Sequence, residues 1–277
     1  VLDAVRQEVL RYGLETRGER WSLPPVSVDT SAFRRKGRKL GLGSSAAAAV
    51  AACGAWLASQ GERLDQNLDV VARLSHAGHR LAQGGRGSGV DVAASVHGGV
   101  LRFQKGEPVA SVDLPILFLA VVDTGASAST SQLLSAVEEL RRHAPALHEE
   151  HMQGLVRSAS EFVEALAAQD PAAAIQLADD YGRRMAALGE SCGCSIVTPI
   201  LHLIASAARA AGGAAKPSGA GGGDLAVAFF SQAAQQEKFL RECKSHALTS
   251  VRLQIGAQGL REESAATFES IVIGNVP

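Results

Sequence analysis

Three glycine-rich loops, each opening onto an apolar segment, constrain this chain more than any other feature of its 277 residues. The first, Gly41-Leu42-Gly43-Ser44-Ser45, runs straight into an alanine-rich stretch that reaches Gln60. The second, Gly87-Ser88-Gly89-Val90-Asp91, leads into a short apolar segment ending at Val96. The third, Lys216-Pro217-Ser218-Gly219-Ala220-Gly221-Gly222-Gly223-Asp224, precedes the apolar run 225–230. Glycine runs cost conformational entropy on folding, so a chain keeps them where the backbone must take a positive φ or pass close to another group. A flexible linker would explain the third loop alone, but the apolar run that follows at once argues for a fixed turn.

On its physics the first loop is a phosphate cradle. Its glycines let backbone N–H groups approach an anion, the helix behind presents a positive dipole end, and Ser44 and Ser45 add donors. Arg34, Arg35, Lys36, Arg38 and Lys39, just before it, would concentrate an anionic ligand. The loop lacks the G-x-x-x-x-G-K-[ST] spacing of a P-loop. Through Ala46 it fits the dinucleotide pattern G-x-G-x-x-A, but residues 34–40 are not an apolar strand. A small-residue loop allowing close helix packing also accounts for it. Asp91, taken alone, reads first as a helix N-cap. Ser129, Thr130 and Ser131 read either as substrate-binding hydroxyls or as an N-cap cluster for a helix starting near Gln132.

Composition removes several classes of function. A net charge of -1 excludes a basic, chromatin-like nucleic-acid binder, and 46% hydrophobic residues exclude a disordered chain. Aromatics at 4% disfavour a single-strand binder that stacks bases. The most apolar run, 46–58, is shorter than the roughly 20 residues of a membrane span. Cys53, Cys192, Cys194 and Cys243 form no disulfide framework, and Cys192-Gly193-Cys194 is not C-x-x-C. They read as reduced, buried thiols of a cytoplasmic protein. His148-Glu149-Glu150-His151 reads as a solvated helix face rather than a metal site.

Periodicity predicts an α+β chain. Helices are expected over 1–15, from the first loop to Gln60, and over 64–84, with a short one after Gly89. The 132–188 stretch is helical with breaks at Pro145 and Asp170-Pro171, and further helices follow at 198–211 and 232–246. Strands are expected at 100–103, 114–122, 225–230 and 249–255. The segment 21–28 reads as strand or loop, and 262–277 shows no periodicity.

Together the loops resemble the galactokinase, homoserine kinase, mevalonate kinase and phosphomevalonate kinase (GHMP) superfamily. Its G-L-G-S-S-A-A motif appears at 41–47, its G-S-G-x-D motif at 87–91, and its K-x-[ST]-G-A-G-G-G motif at 216–223. Within it the likeness is to the phosphomevalonate kinases, through Lys216-Pro217-Ser218, Asp224 and the Ala128–Ser131 loop. Mevalonate kinases typically carry a magnesium-binding Glu eleven residues before the aspartate, and this chain has Arg80 there. The resemblance implies an N-terminal domain like ribosomal protein S5 domain 2 over 1–125, and a ferredoxin-like C-terminal domain over 126–277. It implies ATP and Mg2+, with a small-molecule phosphate acceptor, no nucleic acid, no membrane, and a monomer or homodimer.

The resemblance also implies residue roles. Lys39, Gly41, Leu42, Gly43, Ser44, Ser45 and Ala46 would hold the ATP phosphates, Ser45 doubling as a magnesium ligand. Asp91 would be catalytic. Ser88, Gly89, Ser129, Thr130 and Ser131 would bind substrate. Lys216, Ser218, Gly219, Ala220, Gly221, Gly222, Gly223 and Asp224 would close on the transferred group. In these kinases a lysine-bearing N-terminal segment normally comes before the first loop, and none occurs before Gly41. The first residue is Val, so the chain is expected to be the larger, C-terminal part of such a kinase, short of its first strands and weakly active or inactive. The competing readings are another small-alcohol or sugar kinase, a non-catalytic nucleotide-binding protein and a dinucleotide-dependent oxidoreductase.

Overall fold

The computed structural model describes residues 1–35, 37–85 and 87–263, so the aperiodic tail lies, beyond Glu263, outside the described residues. In chain order the elements begin with α1 (Leu2–Arg17), the strand pair β1 (Arg34–Arg35) and β2 (Arg38–Lys39), α2 (Ser44–Ser59), α3 (Leu68–Ala82) and α4 (Val90–His97). Then come β3 (Leu101–Arg102), β4 (Ala110–Ser111), β5 (Phe118–Asp123), α5 (Thr130–His143), α6 (Pro145–Ala167) and α7 (Pro171–Ser191). The last are α8 (Pro199–Ala210), β6 (Ala214–Pro217), β7 (Leu225–Phe230), α9 (Ala233–Ser245) and β8 (Thr249–Val251).

These elements make two compact units that interleave along the chain. The first holds 1–32, 43–111 and the described part of 255–277; the second holds 33–42 and 112–254. One of the four crossings between them falls inside the first glycine loop, between Leu42 and Gly43.

The first unit is built on helices. Val5 and Val9 of α1, Val50 and Leu57 of α2, Val71 and Leu74 of α3 and Val92 of α4 share one core. Alanine dominates α2 because it is an excellent helix former and its small side chain lets neighbours approach. Gly78 does the same for α3, since a Cβ there would meet the Val5 backbone at 2.6 Å. The 21–28 segment is a loop, pinned where Trp56 Nε1 donates to the Pro24 carbonyl at 2.9 Å.

The second unit is a four-stranded antiparallel sheet in the order β6-β7-β5-β8. Helices α5–α8 connect β5 to β6, and α9 connects β7 to β8, which is the ferredoxin-like βαββαβ arrangement. Leu201, Ile204 and Ala208 of α8 and Phe239 of α9 pack with Ala226, Ala228 and Phe230 of β7 on one face. Phe162 of α6 and Ala178 of α7 cover the other face with Phe229. Helix starts follow the sequence: Asp170 accepts from the Ala173 amide and Thr198 from the Leu201 amide, each with a proline as the first helical residue.

Several expectations need correction. The run 114–122 is a strand only from Phe118, because Pro115 has no N–H to give a ladder. The strand expected at 249–255 ends at Val251. Lys216 and Pro217, placed by the sequence in the third loop, end the strand β6, which Ala214-Ala215 opens without a β-propensity signal. The basic stretch before Gly41 folds as the β1–β2 hairpin, with Arg35 opposite Arg38. Cys53 and Cys243 are buried as expected, but Cys192 and Cys194 are half-exposed. Among the described residues no helix is long and apolar enough to cross a membrane, and no group of three or more metal-ligating side chains gathers.

Candidate functional site

In the first unit, the part of the first loop from Gly43 onward meets the second loop. Helix α2 starts at Gly43, whose φ of 71° is left-handed, and no side chain caps it. The first-turn amides of Ser44 and Ser45 therefore have no capping side chain and present donors at the positive end of the helix. Ser44 and Ser45 are half-buried and Ala46 is buried. A Cβ on Gly43 would lie 3.4 Å from Asp91 Cβ, which places Asp91 directly against this helix start.

Asp91 is not the N-cap. That position belongs to Gly89, with φ 87°, and Asp91 sits in the first turn of α4 with Oδ1 accepting from the Val92 amide at 3.0 Å. Gly89 is buried against His76, and Ser88 is exposed with its Oγ 3.3 Å from the Val90 amide.

His79, which the sequence reading passed over, reaches the same place from α3. Its Nε2 lies 3.0 Å from Ser45 Oγ and 3.1 Å from Gln83 Nε2. The Gln83 Nε2 amino group can only donate, so in the tautomer with Nε2 as acceptor, assigned from the hydrogen-bond network, Ser45 donates its hydroxyl proton to His79 and the two donors share one lone pair. The Ser45 oxygen then keeps its lone pairs for another partner. Arg80, one residue on, is exposed and donates to the Gly85 carbonyl at 2.8 Å.

In the second unit, the third loop is closed where the Ser218 amide donates to the Leu225 carbonyl at 3.0 Å. Ser218, Gly219 and Ala220 are exposed, while Gly221 and Gly223 are buried. The Gly222 amide donates to the Ile196 carbonyl at 2.7 Å, and the Asp224 amide to the Ala126 carbonyl at 2.7 Å. Asp224 holds φ 52°, and its carbonyl accepts from both the amide and the hydroxyl of Thr124 at 2.9 Å. Its Oδ1 lies 3.4 Å from the Ala128 amide, so the loop carrying Ser129, Thr130 and Ser131 is fastened at its base to the third loop. Those three hydroxyl residues are exposed, and Ser129 occupies the N-cap position of α5 without a side-chain cap bond.

Gly41 joins this cluster, since a Cβ on it would stand 2.8 Å from Asp224 Cβ. Leu42 is half-buried and Lys39 exposed. Lys216 lies on β6 rather than in the loop: its ammonium sits 5.3 Å from the Tyr181 ring centre and donates to the Pro217 carbonyl at 3.1 Å. Burial pulls its pKa down to about 8.

Gly221 shows how tightly the third loop is seated. Its φ is 88°, and a Cβ there would run into the Ile196 carbonyl. Gly221→Ala is expected to cost about 2 kcal/mol, from left-handed strain plus the clash. Urea unfolding would register this as a lower midpoint at unchanged slope.

Comparison with known proteins decides the family. Residues 16–99 match the family model for the GHMP kinases N terminal domain, and residues 162–247 match GHMP kinases C terminal. The chain belongs to the GHMP kinase family. Among characterised GHMP kinases it is 31% identical over 249 residues to the phosphomevalonate kinase of Streptomyces sp. (strain CL190), covering 81% of this chain and 66% of that one. It is 34% identical over 220 residues to the mevalonate kinase of Pyrococcus horikoshii, covering 77% and 62%. The chain thus spans slightly less than two thirds of the length of these relatives. The fold is similar to that of the Lin0012 protein from Listeria innocua, with TM-score 0.84, 23% identity, and 95% and 79% of the two chains covered. Phosphomevalonate kinase from Streptococcus pneumoniae, solved with phosphomevalonate and AMPPNP, gives TM-score 0.74 at 20% identity, covering 91% and 80%.

Proposed function

We propose that this protein is an ATP-dependent kinase that converts 5-phosphomevalonate to 5-diphosphomevalonate. The observation that carries the reading is Asp91 set against the uncapped, glycine-led start of α2, beside Ser44 and Ser45. Phosphoryl transfer asks a protein for positioning and charge stabilisation more than for covalent chemistry. The α2 amides and Ser44 would bind ATP phosphate oxygens. The Ser218–Gly223 loop would present backbone groups to the transferred phosphoryl, and Ser129, Thr130 and Ser131 would recognise the acceptor.

Magnesium suits the donors gathered here: Ser45 offers hydroxyl lone pairs and Asp91 a carboxylate, both hard ligands. Magnesium commonly takes one or two protein oxygens and fills its shell with water and phosphate. Bound there, it would neutralise charge on the phosphates.

The role of Asp91 depends on the acceptor. A hydroxyl acceptor needs a base. A phosphomonoester, with a second pKa of about 6, is already mostly dianionic at neutral pH. For phosphomevalonate, Asp91 would orient the acceptor or the metal.

The acceptor assignment is supported by the phosphomevalonate kinase from Streptomyces and by Arg80 in place of a magnesium-binding Glu. The second reading, a mevalonate kinase, is favoured by the 34% identity to the Pyrococcus horikoshii enzyme. An ADP-release assay over a panel of acceptors separates them. Turnover with 5-phosphomevalonate at least about 100-fold above mevalonate, some 2.7 kcal/mol of discrimination, is the expected result. Preference for mevalonate would overturn the assignment.

A further inference from the structure

Two half-exposed cysteines at the end of α7 face each other across a single residue. Cys192 Sγ and Cys194 Sγ are 3.0 Å apart, and both thiols are free. Gly193 between them has φ 62°, a left-handed turn that folds the chain back and brings both side chains to one side. Ser191, Gly193 and Ser195 around them are exposed, so a small reagent in solution can reach the pair.

This turn is hydrogen-bonded into the third glycine loop. The Cys194 amide donates to the Gly189 carbonyl at 2.9 Å, and the Ile196 amide donates to the Cys194 carbonyl at 3.0 Å. The Ile196 carbonyl in turn accepts from the Gly222 amide at 2.7 Å. Ile196 is 4% exposed, and its carbonyl lies against Gly221 with no room for a Cβ between them. A shift at Cys194 therefore acts on Ile196, and through it on the glycine run.

We propose that Cys192 and Cys194 form a reversible dithiol–disulfide site, and that its oxidation by a low-molecular-weight disulfide displaces Ile196 and loosens the 219–223 backbone. The Cys192 thiolate attacks one sulfur of the reagent, forming a mixed disulfide and releasing one thiol. Cys194 then gives up its proton, attacks the Cys192 sulfur and expels the second thiol. Two protein thiols are oxidised, and one disulfide is reduced to two thiols. Burial and the neighbouring Cys192 raise the Cys194 thiol to about 11, which slows the second step, so that step relies on the 3.0 Å approach of the two sulfurs within one turn. Closing the bond draws the sulfurs together by about 1 Å, a shift that the hydrogen bonds through buried Ile196 pass toward Gly222.

The site stands on geometry alone; its effect on turnover rests on the kinase reading above. The test treats the full chain with oxidised glutathione and follows intact mass, peptide mapping, amide hydrogen exchange and ADP release. The expected product has lost two hydrogens, links Cys192 to Cys194, exchanges the Gly222 amide roughly 10-fold faster, and turns over more slowly. Dithiothreitol should reverse all four changes, and neither Cys192→Ser nor Cys194→Ser should show them. Glutathione adducts without the Cys192–Cys194 link, or the link with unchanged Gly222 exchange, would overturn the proposal. If the link forms and exchange rises, but the reduced protein phosphorylates no acceptor, the site stands and the kinase reading falls.

Discussion

Asp91→Asn is expected to lower kcat by about 100-fold or more. The side chain is half-buried at the start of α4, and its described hydrogen bond is to the adjacent Val92 amide. Asparagine keeps the shape and that acceptor while removing the charge, so stability should stay within about 0.5 kcal/mol, as for a substitution away from core and ion pairs. A drop in kcat with an unchanged KM for ATP identifies a group used in the transition state. The pH profile then separates the two roles. If Asp91 takes a proton from a hydroxyl acceptor, its removal changes the shape of the kcat profile with pH. If the acceptor is a phosphomonoester, an acid limb follows the acceptor's own second ionisation near pH 6 and persists in the variant. Near-wild-type turnover in Asp91→Asn would remove this residue from the reaction.

The loops were legible because glycine and serine at a helix start carry a physical meaning that depends little on tertiary context. Gly43 and Gly89 both take the left-handed φ that their position demands, and Gly221 and Gly223 are fixed by close backbone approach rather than free as a linker. Asp91 shows where local reasoning fails. As a lone carboxylate near a helix start it reads as a cap, yet Gly89 already fills that position and Asp91 faces Gly43, more than 40 residues earlier in the chain. His79 was illegible for the same reason. Its only local signal is a place one turn after His76 on an amphipathic helix, and its partner Ser45 is 34 residues away. The β1–β2 hairpin is two pairs of charged residues with no apolar alternation, so no pattern announced it. Cys192-Gly193-Cys194 failed the motif test for zinc, but spacing alone does not say that two thiols point the same way.

That hairpin supplies the second large effect. Arg38 Nη2 bonds both carboxylate oxygens of Asp123, at 2.5 and 2.7 Å, with the Arg38 side chain 29% and the Asp123 side chain 10% exposed. The Gly125 amide also donates to Asp123, and Arg35 donates to the Ser250 carbonyl, so the hairpin is tied to the β5 and β8 end of the sheet. Buried Leu40 carries the chain on to Gly41 and its contact with Asp224. Removing Arg38 leaves the Asp123 carboxylate desolvated and unmatched. Arg38→Ala is therefore expected to cost about 3 kcal/mol, the low end for breaking a buried pair because Arg38 keeps some water contact. Arg38→Lys should recover only part, since an ammonium cannot match the planar guanidinium. Desolvation pushes the Asp123 carboxyl up, but the Arg38 hydrogen bonds, the Gly125 amide and the Arg38 and Arg35 charges outweigh it, holding the carboxyl below its ordinary value. A carboxylate with a depressed folded-state pKa stabilises the protein above its unfolded value, about 4, and loses that contribution as pH falls through the folded value. Wild type should therefore lose stability below about pH 4 more steeply than Asp123→Asn, which is weaker at pH 7 but flatter in acid. Urea midpoints at pH 7 and pH 3.5 for wild type, Arg38→Ala, Asp123→Asn and the double variant measure this directly. Coupling below about 0.5 kcal/mol in that cycle would mean the Arg38–Asp123 pair does not hold the hairpin. Strong coupling, with a raised KM for ATP in Arg38→Ala, would make the ion pair the fastening that sets Gly41 against Asp224.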